Sequence, residues 1–194
     1  MDRRALLTTT ILAAGAIMSD TPEAEAQAAP DRENQLIMTL KDNGRVVIQM
    51  RPDLAPNHVE RIKLLTRRGF YDGTPFHRVM EGFMAQGGDP TGTGTGGARE
   101  IGLPDLKAEF SPPNRARFLR GTCGMARAQN PDSASSQFFI MFAPTPSLDG
   151  QYTIWGQVIS GMEHVDKITR GVAGSGTVRN PDKLISMKVA ADVA

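Results

Sequence analysis

Arg78 and Gln86 stand on either side of Glu81-Gly82, a turn signal, within the stretch Phe76 to Asp89. If the residues flanking that turn form neighbouring strands, a guanidinium and a carboxamide face one groove, with Phe83 and Met84 near its floor. The guanidinium is charged at every relevant pH and presents a rigid fork of donors. The carboxamide both donates and accepts. Two fixed hydrogen-bonding heads over an apolar hollow suit the grip of a polypeptide segment, and nothing in the pair calls for a nucleophile. Each residue also has a plainer reading. An arginine between a His and a Val on a strand turns to solvent or meets a carboxylate, and Phe83, Met84 and Phe139 are core residues by type.

The elements that must position this pair are legible as strands with two helices. Residues 35–40 and 45–50 flank Asn43-Gly44, which predicts a type I′ hairpin with positive φ at both central residues. Pro52 to Pro56 leads into a helix with Val59, Ile62 and Leu65 on one face, Glu60, Arg61, Lys63, Arg67 and Arg68 largely elsewhere, and Gly69 as its stop. Pro90 to Pro113 reads as a long loop region. Strand-like runs resume at 121–126, 137–142, 152–159 and 185–189, and a second helix is expected over Met162 to Thr169, with Val165 and Ile168 inward and Gly171 ending it. Many strands, two helices and no βαβ rhythm predict a mainly β protein built as an antiparallel barrel.

Other chemistries find little support. Gly92-Thr93-Gly94-Thr95-Gly96-Gly97 fits G-x-G-x-x-G, but the following Ala98 to Pro104 is a poor helix and no Lys-Ser or Lys-Thr pair follows, so the glycines read as a tight surface loop. His58, His77, His164 and Cys123 lack metal-ligand spacing, so no metal or other cofactor is expected. Ser133, Ser135 and Ser136 have no neighbouring His to make a hydrolytic triad.

Composition bounds the rest. The 194 residues, 40% apolar and 22% charged with 20 Gly and 13 Pro, fit one loop-rich domain. The N-terminus differs: Arg3-Arg4, an apolar run from Ala5 to Met18, then Ala26-Gln27-Ala28 as a small-x-small cleavage signature. Residues 1–28 therefore read as a secretory signal. Arg3-Arg4-Ala5-Leu6-Leu7 also resembles a twin-arginine core. The competing reading, an ordered helix or membrane anchor, needs a longer run, since spanning takes about 20 apolar residues. Residues 29–34 read as a flexible lead-in and 35–194 as the folded domain, which places the protein in the periplasm or outside the cell, with no membrane attachment after cleavage. Beyond residue 28 the net charge is +3, too small to argue for nucleic acid. Cys123 is the single cysteine, so no internal disulfide is available, and roughly 165 residues must hold a core without one.

Four blocks in order carry a resemblance: Phe76-His77-Arg78-Val79 through Phe83-Met84-Ala85-Gln86-Gly87-Gly88-Asp89, then Gly124 to Ala128, Ser136 to Ile140, and Leu148-Asp149-Gly150. Together they resemble the active-site blocks of the cyclophilin family of peptidyl-prolyl cis-trans isomerases, over nearly all of residues 35–190. The resemblance implies an eight-stranded antiparallel β-barrel capped by two α-helices and an enzyme that rotates X–Pro bonds in proline-containing polypeptides, here during the folding of exported proteins. It makes Arg78 the catalytic arginine and Gln86 the partner of the substrate backbone, with Phe83, Met84, Phe139 and Leu148 lining the proline pocket. Ala126, Arg127 and Ala128 become the edge along which the residues preceding proline lie, and Gln137 a support from the side. Phe76, His77 and Tyr152 complete the implied substrate-binding set, with His77 holding the surroundings of Arg78.

The chain departs from better-known members at several positions. Ser147 stands where a Trp is frequent, Tyr152 where a His is frequent, Arg127 where the block carries Asn, and Pro90 follows Asp89. The missing indole predicts weak cyclosporin binding. A monomer is the default. The main alternative is a proline-peptide binding module or chaperone with little turnover, against which the retained Arg78 and Gln86 argue. A structural or adhesive protein lacks repeats or disulfides to recommend it.

Overall fold

The computed structural model describes residues 31–193, so the leader expected at 1–28 lies outside the described residues. The fold is mainly β: eight antiparallel strands in one curled sheet with two helices. In chain order these are β1 Gln35–Thr39, β2 Arg45–Met50, α1 Pro56–Arg67, β3 Arg78–Met80, β4 Met84–Gly87, β5 Thr122–Met125, β6 Phe138–Met141, β7 Ile154–Ser160, α2 Met162–Val165 and β8 Ser186–Val189. The strands lie in the order β3-β4-β6-β5-β7-β2-β1-β8. No ladder joins β3 to β8. The gap is bridged by the irregular segment before β8, through Val79 N–H to the Gly176 carbonyl (2.7 Å), Phe76 N–H to Asp182 (2.9 Å) and Gly73 N–H to Leu184 (2.7 Å). The barrel is thus a curled sheet closed by single bonds rather than by a regular eighth seam.

Two apolar clusters divide the interior. The larger holds Leu36, Met38, Ile48, Val59, Ile62, Leu65, Phe138 and Trp155, all fully buried, so the period-two pattern of β1 and β2 and the single face of α1 meet in one core. The smaller gathers Met84, Phe118, Phe139, Met141, Leu54 and Ile154 under the site described below.

Several local expectations are corrected. Positive φ falls on Asp42 (57°) and Asn43 (55°), one residue earlier than a turn centred on Asn43-Gly44 requires. Gly44 itself is extended (φ −60°). Its glycine answers a different need, because a Cβ there would lie 2.7 Å from the His164 ring. Arg61 and Lys63 are buried although they sit off the apolar face: the Arg61 guanidinium donates to the carbonyls of Pro104 (2.9 Å) and Ser135 (3.4 Å), and Lys63 meets Glu60 (3.2 Å). The second helix stops at Val165, not Thr169, although Val165 and Ile168 do point inward. Gly171 is not its stop but lies against the Gly176 carbonyl, 1.9 Å from where a Cβ would sit. Residues 32–34, expected within a flexible lead-in, form a short 3-10 turn fixed by Arg32 donating to the Ala190 carbonyl (2.7 Å).

α1 begins with Pro56 in its first turn and has no side-chain cap from Ala55. The Glu109 carboxylate, from the long loop, replaces that cap by accepting from the Asn57 and His58 amides (3.1 and 3.0 Å). The loop is therefore tied to the helix that covers the core.

Candidate functional site

β3 and β4 form a hairpin in which Arg78 pairs directly with Gln86, and Met80 with Met84. Side chains alternate between faces along each strand, so Val79 enters the main core while Arg78 and Gln86 share the outer face. The Arg78 guanidinium donates to the Gln86 Oε1 (3.2 Å), the Met80 sulfur (3.1 Å) and the Ser175 carbonyl (3.3 Å). None of these acceptors carries charge, so the cation keeps its full charge toward the groove.

Gln86 is oriented in turn. Its Nε2 donates to the Gln137 Oε1 (2.9 Å), and the Gln137 Nε2 donates to the carbonyls of Gly94 (3.0 Å) and Gly96 (2.9 Å). Reversing either amide would set N–H against N–H, so the chain fixes both carboxamides with their oxygens toward Arg78. Gly94 and Gly96 belong to the glycine-rich loop, and Asp89 holds that loop. The fully buried Asp89 carboxylate accepts from the Thr91 hydroxyl and amide (both 2.8 Å), the Gly94 amide (2.7 Å) and the Gly96 amide (3.2 Å). Burial pushes this carboxyl up, but the hydrogen bonds from Thr91, Gly94 and Gly96 together outweigh it and hold the pKa below its ordinary value.

Beside Arg78 opens a small cavity of about 120 Å³. Phe83, Met84, Phe139 and Leu148 line it with Arg78, Gln86, Ala126, Arg127 and Tyr152. Phe139 forms much of the apolar floor, stacked on Phe118 at 5.6 Å and edge-on to Tyr152 at 5.9 Å. A second cleft of about 370 Å³ continues past Ala126 and Arg127 and is bordered by Ala128, Gln137 and the loop from Gly94 to Glu100. Nine of the expected site residues therefore meet around one hollow, and Ala128 and Gln137 border its neighbour.

Phe76 and His77 do not join them. Phe76 is 1% exposed and packs in the main core, edge-on to Phe138 at 6.4 Å. A continuous strand would place Phe76 on the same face as Arg78, but β3 starts only at Arg78 and the irregular chain at His77 breaks the alternation. His77 is buried below the glycine-rich loop, 3.5 Å from where a Cβ on Gly94 would be. Burial pushes its pKa down and keeps the ring neutral. Both residues thus sit behind the site.

Three supports escape the sequence reading: Asp89, Phe118 and the Ser175-Gly176 segment. Gly176 has φ 75°, and a Cβ there would fall 2.5 Å from the Met80 side chain and 3.2 Å from that of Arg78. Gly176→Ala is expected to lower kcat/KM for an X–Pro peptide by about tenfold, because it displaces the arginine that the loop backs. Unchanged kinetics in a folded variant would show that the loop does not set the position of Arg78.

The chain is similar in sequence and in fold to known proteins. Residues 35–189 match the family described as cyclophilin type peptidyl-prolyl cis-trans isomerase/CLD. A probable peptidyl-prolyl cis-trans isomerase from Brucella suis is 52% identical over 180 residues, covering 87% of this chain and 88% of that protein. A peptidyl-prolyl cis-trans isomerase-like 1 protein from Gibberella zeae is 39% identical over 138 residues, 71% of this chain and 82% of that one. Among solved structures, a cyclophilin from Hirschia baltica superposes with a TM-score of 0.71 at 27% identity, covering 84% of this chain and 76% of its own. A Cryptosporidium parvum cyclophilin type isomerase, determined in the presence of the dipeptide Ala-Pro, gives 0.71 at 28% identity over 80% and 98% of the two chains.

Proposed function

The chain belongs to the cyclophilin-type peptidyl-prolyl cis-trans isomerase family, and we infer that it turns X–Pro bonds with Arg78 as the donor that favours the twisted amide. An X–Pro amide resists rotation because its nitrogen lone pair is delocalised into the carbonyl, and uncatalysed exchange takes tens of seconds or more. At the half-rotated geometry that lone pair sits on nitrogen and accepts a hydrogen bond. The uncompensated guanidinium of Arg78, set at the edge of a hollow sized for a small ring, is the observation that supports this role.

Magnitudes show that Arg78 does not act alone. A charge-assisted hydrogen bond contributes about 1.5–3 kcal/mol, and each tenfold in rate needs about 1.4 kcal/mol, so one donor supplies roughly one to two powers of ten. Phe83, Met84, Phe139 and Leu148 contribute by anchoring the proline ring and removing water from the amide. Gln86, locked through Gln137, holds the substrate backbone while the bond turns. No group in this scheme forms a covalent bond with the substrate or passes a proton to it. A protease-coupled assay on an Ala-Pro peptide is expected to show catalysed cis-to-trans conversion. A rate equal to the uncatalysed one, with peptide still bound, would make the protein a binding module.

We propose further that the enzyme acts on exported proteins as a monomer outside the cytoplasm. Arg3-Arg4, the apolar run from Ala5 to Met18 and Ala26-Gln27-Ala28 support export, and N-terminal sequencing of the protein recovered from the periplasm should begin at or near Ala29. Cyclosporin is expected to bind weakly, with micromolar or poorer Kd by titration, because the exposed Ser147 in the turn before Leu148 offers neither the large apolar wall nor the indole N–H. Nanomolar affinity would overturn that expectation.

A further inference from the structure

Arg127 joins the two hollows of the site, lining both the proline-sized cavity and the longer cleft beside it. Its guanidinium is held in place without being neutralised. One Nη donates to the carbonyls of Ala128 (2.9 Å) and Gln129 (3.2 Å), the other to that of Gln151 (3.0 Å), and the plane lies 4.4 Å from the centre of the Tyr152 ring and 5.8 Å from that of Phe110. All five partners are uncharged. The other charged residues bordering the cleft are Arg99, engaged bidentately by Asp105, and Glu100, whose carboxylate lies beside Gly96 of the glycine-rich loop. Among the described residues no acidic side chain lines the proline-sized cavity, whose second cation is Arg78.

We propose that Arg127 gives the isomerase a preference for proline segments carrying an acidic side chain in the residue that lies beside it as the polypeptide leaves the proline pocket for the longer cleft. The inference rests on the proline ring occupying the cavity between Arg78 and Phe139. A carboxylate at that place meets a fixed cation over an aromatic face in a partly buried setting, whereas a lysine meets like charge. The carbonyl and ring contacts matter because they restrict the guanidinium before substrate arrives, so little side-chain freedom remains to be lost on pairing. An acid placed beside Glu100, which also borders the cleft, meets like charge instead.

The test is a set of neutral-capped peptides in which Glu, Gln or Lys occupies, one at a time, each of the three positions on either side of proline. The readout is the ratio of kcat/KM for the Glu and Lys members within each protein, so that a general loss of activity divides out. Wild type is expected to favour Glu over Lys by about five- to tenfold at one position in low salt, with the ratio shrinking toward one as salt shortens the screening length from about 10 Å at 0.1 M to about 3 Å at 1 M. Arg127→Gln should abolish the preference at that position. Arg127→Lys, which keeps the charge and loses the planar contacts, should retain part of it, an outcome that a purely structural role for the side chain would not give. A ratio near one in wild type at every position, or an equal ratio in wild type and Arg127→Gln, overturns the proposal. Turnover of the Gln peptides that still depends on Arg78 would leave the catalytic reading intact in that event, whereas turnover independent of Arg78 would remove the pocket assignment as well.

Discussion

Arg78→Ala is expected to lower kcat/KM for an X–Pro peptide by about 100-fold or more, the cost of removing a preorganised donor aimed at charge that appears only in the transition state. The loss should fall mainly on kcat, because the aromatic and aliphatic lining that holds the ring remains. Folding should survive, since Arg78 lies half-exposed at the end of a hairpin whose core side chain, Val79, is untouched. Arg78→Lys should recover little: an ammonium is a strongly hydrated point charge and lacks the fork that reaches Gln86, Met80 and Ser175 together. Near-normal activity in a folded Arg78→Ala protein would end the assignment.

Asp89→Ala should be the most damaging polar substitution away from the groove. It removes the single acceptor group shared by Thr91, Gly94 and Gly96, so several loop amides lose their partner at once. We expect destabilisation of about 2–4 kcal/mol, read from the fluorescence of Trp155, the single, fully buried tryptophan, during denaturant unfolding. Activity should fall as well, because the Gly94 and Gly96 carbonyls that orient Gln137, and through it Gln86, lose their frame. The pH dependence has a definite sign. The folded pKa of Asp89 lies below its ordinary 3.8, so its contribution is fully present above that value and is lost as pH falls through the lower folded pKa. Wild type and variant should therefore differ most near neutrality and converge under strongly acid conditions. A constant difference across the acid range would show that the carboxylate's charge is not what holds the loop.

The parts of this structure that follow from local periodicity were readable in the chain. Val59, Ile62 and Leu65 recur at helical spacing and fill one face of α1; Glu81-Gly82 marks the turn that brings Arg78 opposite Gln86. What could not be read depends on contacts between distant segments. Ser175 and Gly176 back Arg78 from nearly a hundred residues away, and nothing near them in sequence marks that meeting. Asp89 has the composition of an ordinary turn residue, and only the folded loop reveals that its carboxylate gathers amides two, five and seven positions ahead. Phe76 misleads for the opposite reason: its place in a site-bearing block points to the groove, while a break in strand alternation at His77 turns it into the core. Beyond Val165 the chain of α2 tightens into i→i−3 bonds, from Lys167 N–H to His164 and from Ile168 N–H to Val165, and Arg170 donates to the Asp166 and Ile168 carbonyls while its guanidinium lies 4.0 Å from the centre of the Phe142 ring.

Holding a proline segment and turning it are separable events, and magnetisation-exchange NMR on an Ala-Pro peptide reads both in one sample. With wild-type protein, cis–trans exchange peaks should appear within a second, while resonances of Phe83, Phe139 and Leu148 report the bound ring. With Arg78→Ala the same pocket resonances should shift and the exchange peaks should vanish. Exchange of equal intensity in the two proteins, at equal occupancy, would contradict the role given to the guanidinium.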